Sequence, residues 1–127
     1  MYRKIENLKE VLENHLIYLE TGDLAKRADL SGVDLSGANL IDVDLSDANL
    51  IGADLSFVDL SFAYLSGVDL SGVNLSHADL SDADLSDAWL ENTMLKDTNL
   101  TSATLSGAWL NGARLPKYYY LPVNDNG

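Results

Sequence analysis

Residues 66–90 read SGVDLSGVNLSHADLSDADLSDAWL, and a leucine closes each group of five residues. The same spacing extends in both directions, from Leu30 to Leu115, which gives eighteen leucines without an interruption. The residue two places before each leucine is small, usually Ala or Val, and the residue directly before it is usually Asp or Asn. Any fold of this chain therefore has to accommodate a period of five.

Neither common secondary structure keeps a five-residue repeat on one face. On an α-helix, five residues advance about 140° beyond a full turn, so the leucines would wind around the whole helix. On a flat strand, an odd spacing sends successive leucines to opposite faces. The Ser, Gly, Asp and Asn residues between the leucines are turn formers. We therefore predict that the chain turns once in each repeat and that the leucines and small residues point inward in a stacked coil.

The consensus of residues 28–115, A/V–D/N–L–S–x, resembles the pentapeptide repeat family, whose pattern is A(D/N)LXX. The resemblance implies an all-β solenoid, a right-handed quadrilateral β-helix with four repeats in each coil. Residues 28–115 would then form about 4.4 coils. The leucines are expected to fill the axis as the structural core, represented in successive coils by Leu30, Leu50, Leu70, Leu90 and Leu110.

Residues 1–27 are predicted to form an N-terminal capping helix and lead-in, because a solenoid exposes apolar core at its ends. Apolar residues recur there with helical spacing, and Gly22 is typical of a helix end. The residues expected to cover the first coil are Ile5, Leu8, Leu12, Leu16 and Leu19.

Residues 116–127 are predicted to form a C-terminal cap and a disordered tail. Pro116 occupies a position that is mostly Ser in the repeats, and it cannot donate a backbone hydrogen bond, so it ends the pattern. Tyr118, Tyr119 and Tyr120 are expected to fold over the last coil. A monomer and an end-to-end dimer both remain compatible with this end.

The chain is acidic, with 20 Asp and Glu residues against 8 Lys and Arg residues and a formal net charge of −12. Residues 28–115 hold fourteen of the acids and only two of the bases, Lys96 and Arg114, whereas the two flanking segments are balanced. Such a surface repels a nucleic-acid backbone and an anionic membrane. We expect no direct nucleic-acid or membrane partner, and a basic protein partner if charge drives the association.

The absence of cysteine excludes disulfides, thiolate metal sites and cysteine nucleophiles. No apolar run is long enough to span a membrane, and the N-terminal segment lacks the apolar region of a secretory signal. A cytoplasmic location is therefore the expectation.

Groups that could carry catalysis or bind a metal are sparse. His15 is assigned to the capping helix, and His77 lies at an outward position with no second histidine nearby in the pattern. Stacked carboxylates, such as the clusters within residues 42–47 and 82–87, are able to hold a divalent cation. However, Asp and Asn also bond their own backbone in turns, and we predict that role. No catalytic residue, metal or cofactor is predicted.

Aromatic residues at outward positions break the repeat pattern. Phe57, Phe62 and Tyr64 fall within one predicted coil, and Trp89 and Trp109 are predicted to stack in line with Asp69. Clustered exposed aromatics are typical of a protein-contact patch. Packing against the cap or against one another is the alternative, and both readings remain open.

The sequence favours a non-enzymatic protein, a rigid acidic interaction or structural module. The resemblance implies an alternative, because some family members mimic DNA, bind a type II topoisomerase (gyrase) and inhibit or protect it. Two features argue against this alternative. That branch is richer in Phe at the central position, where this chain has Leu eighteen times, and the acids spread over all four predicted sides.

Overall fold

A computed structural model describes residues 2–116, and the structural statements below refer to these residues. A short extended segment around Arg3 is followed by helix α1 (Leu8–Thr21) and a 3₁₀ turn (Leu24–Lys26). The repeats then continue to the end of the described chain. Tyr118, Tyr119 and Tyr120, the predicted C-terminal capping residues, lie outside the described residues.

Parallel β-bridges join residues that are twenty positions apart throughout the repeats. At the first bridge, the Asn49 N–H donates to the Ala28 carbonyl, and the Leu30 N–H donates to the Asn49 carbonyl (3.1 and 2.8 Å). The same two bonds recur in most of the following repeats. One coil of the path therefore takes four repeats, because twenty residues separate the paired positions.

The residues directly before the leucines fall into four columns, each running along the rod and joined by the bridges. In chain order the first column is Asp29, Asn49, Asp69, Trp89 and Trp109; the second is Asp34, Asp54, Asn74, Met94 and Arg114; the third is Asn39, Asp59, Asp79 and Asn99; and the fourth is Asp44, Tyr64, Asp84 and Thr104. Two-residue turns connect neighbouring columns, and the fourth column leads back to the first.

The bridges are isolated, each one residue long, and residues 2–116 contain no longer strand. The turn chemistry explains this difference from an ordinary sheet. In each repeat the N–H of the small residue donates back to the preceding leucine carbonyl, as Val33 does to Leu30 (3.2 Å). Two of every five residues therefore form the turn. Only the residue directly before the leucine forms bridges to the coils on both sides.

The leucines fill the inside of the coil. All fifteen from Leu30 to Leu100 are buried, together with most of the Ala and Val residues two positions before them. Leu110, expected in the core, is only half-buried, as is Leu105, and Leu115 is 53% exposed. These three leucines belong to the last coil that the described residues form, so no later coil within residues 2–116 covers them.

Thr93 and Thr98 replace the small residue inside the coil without leaving a buried polar group unpaired. The Thr93 hydroxyl donates to the Leu90 carbonyl and the Thr98 hydroxyl donates to the Leu75 carbonyl, both at 2.7 Å. Buried hydroxyls are tolerated where such partners exist.

Helix α1 packs on the first coil through Leu8, Val11 and Leu12, and Ile5 packs there from the preceding segment. The helix ends at Gly22, which adopts a left-handed conformation (φ 79°) and donates its N–H to the Tyr18 carbonyl at 2.7 Å.

No helix within residues 2–116 has both the length and the apolar character needed to cross a bilayer.

Leu16 was expected on the packed face, and this prediction is wrong, because its side chain is 54% exposed. His15 occupies the buried position instead. On a helical projection, His15 lies about 20° from Leu8, whereas Leu16 lies about 80° away. Leu19 is half-buried and is not among the residues packed against the core.

Candidate functional site

The aspartates and asparagines before the leucines hold the turns. The Asp29 carboxylate accepts hydrogen bonds from the Ser31 backbone N–H (3.1 Å) and hydroxyl (2.7 Å). Equivalent bonds from the residue two positions later recur along the rod, for example from Ser56 to Asp54 and from Ser86 to Asp84. The turn role predicted for these acids from the sequence is therefore confirmed.

The third residue of each turn has a positive φ, which glycine adopts readily and other residues rarely do. Seven turns use glycine at this position, and most of the others use Asp, Asn, Ser or His. Phe57 (φ 59°) and Phe62 (φ 61°) are the two bulky exceptions within residues 2–116. A left-handed conformation costs about 1–2 kcal/mol for a residue with a side chain, so both phenylalanines occupy unfavourable backbone positions while their rings face solvent.

A different energetic cost, the loss of a turn hydrogen bond, applies to three aromatic residues in the columns: Tyr64, Trp89 and Trp109. Each stands in a column position where Asp or Asn would accept the turn hydrogen bond, and an aromatic ring supplies no such acceptor. A hydrogen bond of this kind contributes about 0.5–1.5 kcal/mol. The exposed aromatic residues are therefore less favourable for the fold than the residues that the repeat normally uses.

The five candidate contact residues do not form a single patch. Trp89 and Trp109 lie in the first column, and their rings stack with centroids 5.5 Å apart, as the sequence predicted. Phe57 and Phe62 occupy the turns on either side of the third column, and Tyr64 lies in the fourth. The first and third columns are not neighbours, so Phe57 and Phe62 are separated from the tryptophans, whereas the column of Tyr64 is next to the first.

Phe62 and Tyr64 are surrounded by carboxylates from the coils before and after. Tyr64 is bridged to Asp44 on one side and to Asp84 on the other. Phe62 occupies the same turn position as Asp42 and Asp82, one coil away in each direction. We call these six residues the acidic aromatic surface: Asp42, Asp44, Phe62, Tyr64, Asp82 and Asp84. Both rings are more than half exposed, at 54% and 55%.

Each column carries two aspartates, so the acids are spread evenly, as the sequence predicted. The bases are not. Arg3 donates to the Ser31 carbonyl, and Arg27 donates to the Asp47 carbonyl (both 2.7 Å). Arg114 lies in the second column, and Lys96 lies in the turn after that column. The repeat segments that form the third and fourth columns and the turn between them, residues 38–46, 58–66, 78–86 and 98–106, contain no Lys or Arg.

Two carboxyls at the N-terminal end have lowered pKa values. The Ser31 hydroxyl and backbone N–H are the main cause at Asp29, with smaller contributions from the positive charges of Arg3 and Arg27. Ser36 lowers the pKa of Asp34 in the same way, and Lys4 adds a smaller effect. Arg3 and Lys4 lie beside the first and second columns, and Arg27 lies at the turn from the fourth column to the first. The repeat segments that form the acidic aromatic surface contain no basic residue.

His15 completes the first coil where the repeat pattern has no residue to do so. Its Nδ1 accepts a hydrogen bond from the Ala28 N–H, and its Nε2–H donates to the Ser46 carbonyl, both at 2.9 Å. Later coils meet the equivalent groups with their own backbone, as the Gly67 N–H does for the Ser86 carbonyl. His15 is fully buried, and its two bonds require the neutral tautomer with hydrogen on Nε2.

His77 lies between an aromatic ring and a carboxylate. Its ring stacks on Phe57, with centroids 4.7 Å apart and planes 11° apart, and its Nδ1 is 3.8 Å from Asp97 Oδ2. The three residues occupy one turn position in successive coils. Phe57 thus has a partner within the chain, whereas no aromatic or basic contact is recorded for Phe62 within residues 2–116.

Among the described residues, no three His, Asp or Glu side chains are arranged to hold a metal ion. The depressions in this part of the molecule are shallow. One of about 300 Å³ is lined by Lys96, Asp97 and Arg114 together with Leu115 and Pro116 at the C-terminal end. It holds no pairing of a nucleophile with a base.

Sequence reasoning missed the arrangement around Phe62 and Tyr64, although the signal was present. From the sequence, the acid clusters at residues 42–47 and 82–87 were considered for cation binding and the aromatic residues as a separate group in one coil. One coil is twenty residues, so the positions aligned with Asp42 and Asp44 in the next coil are Phe62 and Tyr64. The two rings therefore lie between the two acid clusters.

Comparison with known protein families identifies the same repeat region. The family model described as pentapeptide repeats matches eight copies over residues 28–61, 59–97 and 78–115. No curated protein sequence matches the chain with significance.

Several solved structures are similar to this chain. The pentapeptide repeat protein alr5209 from Nostoc PCC 7120 is 34% identical, with 99% of this chain and 92% of that chain covered and a TM-score of 0.39. HetL from Nostoc sp. strain PCC 7120, involved in heterocyst differentiation regulation, is also 34% identical, with 69% of this chain covered and a TM-score of 0.40. The match spans only 51% of HetL.

QnrB1, a plasmid-mediated fluoroquinolone resistance protein, is 20% identical, with 73% of this chain and 60% of that chain covered and a TM-score of 0.49. The family model covers more than half of the chain, and alr5209 is matched over nearly its whole length. This chain belongs to the pentapeptide repeat family.

Proposed function

We propose that this protein is a non-enzymatic interaction module, built as a right-handed quadrilateral β-helix of about 4.4 coils, that presents a rigid acidic surface to a protein partner. The observation that carries the proposal is the exposure of Phe62 and Tyr64 among carboxylates. Both rings occupy positions where the repeat would be more stable with Gly, Asp or Asn. Residues that lower stability without serving the core are typical of functional surfaces.

A capture experiment tests this function. The tagged protein is incubated with an extract of its native host, in parallel with a Phe57→Ser/Phe62→Ser/Tyr64→Ser variant and a Trp89→Ser/Trp109→Ser variant. Loss of a captured protein from one variant and its retention by the other would support the proposal and identify the surface used. An identical set of captured proteins from all three would contradict it.

The alternative is that the rod mimics DNA and binds a type II topoisomerase. Its support is the charge: residues 28–115 carry a net −12, over a rod of roughly 20 Å if coils are about 4.8 Å apart. Duplex DNA carries one charge per about 1.7 Å, so the linear densities are similar. A supercoiling assay with DNA gyrase and excess protein separates the two functions, because the interaction module should leave supercoiling unchanged and the DNA mimic should inhibit or protect the enzyme.

A further inference from the structure

We propose that the acidic aromatic surface binds an arginine-bearing segment of a protein, with a guanidinium stacked on Phe62 or Tyr64 and paired with a neighbouring carboxylate. This inference rests on the proposed interaction function and specifies the chemistry of the partner.

The carboxylates of the surface have capacity left for a ligand. Asp44 and Asp84 each use Oδ1 to accept a turn hydrogen bond, and no partner is recorded for their Oδ2 atoms in the described chain. Asp42 and Asp82 are exposed, and neither side chain has a recorded hydrogen bond or ion pair within residues 2–116. Four negative charges therefore flank two rings, with no Lys or Arg in the repeat segments that form this side.

Arginine fits this arrangement better than lysine does. A guanidinium is planar, stacks on aromatic faces and donates paired hydrogen bonds to a carboxylate, whereas an ammonium is a compact and strongly hydrated charge. Around Tyr64, a ring and carboxylates alternate along one column, since Asp44 and Asp84 are bridged to it from either side. One guanidinium there meets a ring face and a carboxylate at the same time.

The spacing of the acids also sets a spacing for the ligand. Asp42 and Asp82 are two coils apart, which corresponds to about 10 Å when neighbouring bridged segments lie about 4.8 Å apart. Three residues of a peptide in the polyproline II conformation cover about 9 Å and complete one turn, so side chains three positions apart lie on the same side. A segment with arginines three positions apart, lying along the rod, would place one guanidinium against each acid pair with the rings between them.

The test uses three synthetic peptides and the isotope-labelled full chain in an NMR titration at low salt. The first peptide, GSRGSRGSRGS, has arginine at every third position; the second, GSKGSKGSKGS, replaces arginine with lysine; and the third, GSGSRRRGSGS, has the first composition with clustered arginines. We expect the first peptide to shift the amides of residues 42–44, 62–64 and 82–84. Its Kd should be at least about threefold lower than that of either other peptide.

A Phe62→Asp/Tyr64→Asp variant separates stacking from simple charge attraction. Aspartate already occupies both positions in the neighbouring coils, so the fold should be retained, and the surface gains two negative charges. Stacking predicts that the lysine-to-arginine ratio of Kd falls below the wild-type ratio, because only the paired hydrogen bonds to carboxylates still favour arginine. The matched control, Trp89→Asp/Trp109→Asp, gains the same charge in the first column and should keep the wild-type ratio.

Equal Kd values for arginine and lysine peptides with the wild-type protein would overturn the inference, as would an undiminished preference in the Phe62→Asp/Tyr64→Asp variant. Shifts spread over aspartates of all four columns would also overturn it, because they would indicate diffuse charge attraction. If any of these results appears while host-protein capture still depends on Phe62 and Tyr64, the interaction function stands and only the arginine chemistry fails.

Discussion

The Nε2 atom of His15 lies 2.9 Å from the carbonyl oxygen of Ser46, which joins helix α1 to the beginning of the stack. The other ring nitrogen accepts the Ala28 N–H. A single buried side chain thereby replaces two backbone partners that a preceding coil would have supplied.

Replacing His15 should destabilise the protein strongly. A His15→Phe variant retains a ring of similar size but leaves a buried N–H and a buried carbonyl unpaired, each at a cost of about 1–3 kcal/mol. We expect the free energy of unfolding, measured with urea and tryptophan fluorescence, to fall by about 2–6 kcal/mol. His77→Phe is the matched control, because His77 is exposed and can be replaced without orphaning a backbone group. A His15→Phe variant as stable as the wild type would show that the two bonds do not hold the cap.

The leucine positions should differ in importance along the rod. Leu70 is fully buried, and Leu70→Ala should cost about 2–5 kcal/mol through lost burial and the cavity left behind. Leu115→Ala removes the same atoms from the same repeat position, but at a residue that is 53% exposed, and should cost less than about 0.5 kcal/mol. Thermal unfolding of both variants followed by circular dichroism makes the comparison. Equal losses would mean that the last coil is as well packed as the middle of the rod.

Glycines with the same backbone conformation should respond differently to alanine. Gly107 (φ 74°) and Gly52 (φ 68°) both disfavour a side chain. A Cβ at Gly107 would also press on the Asp87 side chain, with Cγ at 3.2 Å, whereas nothing lies within 4 Å at Gly52. Gly107→Ala should therefore cost about 1 kcal/mol more than Gly52→Ala in urea unfolding. Adding Asp87→Ala should remove the difference; if the excess cost remains, the contact with Asp87 is not its source.

Acidic pH should lower the stability that the turns at the N-terminal end of the rod contribute. Hydrogen bonds from Ser31 and Ser36 hold the pKa values of Asp29 and Asp34 below the ordinary value of 3.8. Because the folded pKa is below the unfolded one, the stabilisation is complete above the unfolded value and is lost as the pH falls through the folded value. The free energy of unfolding should therefore decline below about pH 4.

The variant Asp29→Asn/Asp34→Asn keeps a side-chain oxygen as acceptor, as Asn39 and Asn49 do in this chain, but cannot titrate. Its acid decline, measured by urea unfolding at a series of pH values, should be shallower than that of the wild type. Asp82→Asn, at an exposed aspartate outside the turn bonds, is the control. A wild-type slope in the double variant would contradict the assignment.

Removing Phe62 should stabilise the fold. Phe62→Gly relieves a left-handed conformation and should raise the free energy of unfolding by up to about 1 kcal/mol. Phe57→Gly relieves the same conformation but loses the stack on His77, which contributes about 0.5–1.5 kcal/mol, so its net effect should be near zero. Urea unfolding of the two variants side by side provides the measurement. A loss of stability in Phe62→Gly would indicate that its ring packs within the chain and is not held for a partner.

The repeat made the inside of this protein predictable and left its ends uncertain. The five-residue spacing alone predicted which leucines are buried. The Asp or Asn before each leucine predicted the turn hydrogen bonds, because both features depend on local chemistry that recurs in every repeat. Leu16 was misplaced because apolar spacing on a helix cannot reveal that a histidine has two backbone groups to satisfy. His15 is polar, and its burial depends on the coil that the helix meets.

The candidate surface was only partly predictable. Phe57, Phe62 and Tyr64 stood out as exceptions, and Trp89 and Trp109 were correctly expected to stack. The separation of the tryptophans from Phe57 and Phe62, and the position of Tyr64 between Asp44 and Asp84, depend on which residues share a column. That relationship is long-range and appears only when the coil length is applied to every outward residue.

The pairing of residues twenty apart has a consequence for how such a chain can change over evolutionary time. Deleting one repeat between Asp44 and Tyr64 leaves each leucine inside but moves every later outward residue back by one column, so Tyr64 would leave the line of Asp44 and join that of Asn39. Gains or losses of four repeats preserve the lines. A register shift of five residues can therefore bring different outward residues together and form a new surface. The buried leucine core is unchanged by such a shift.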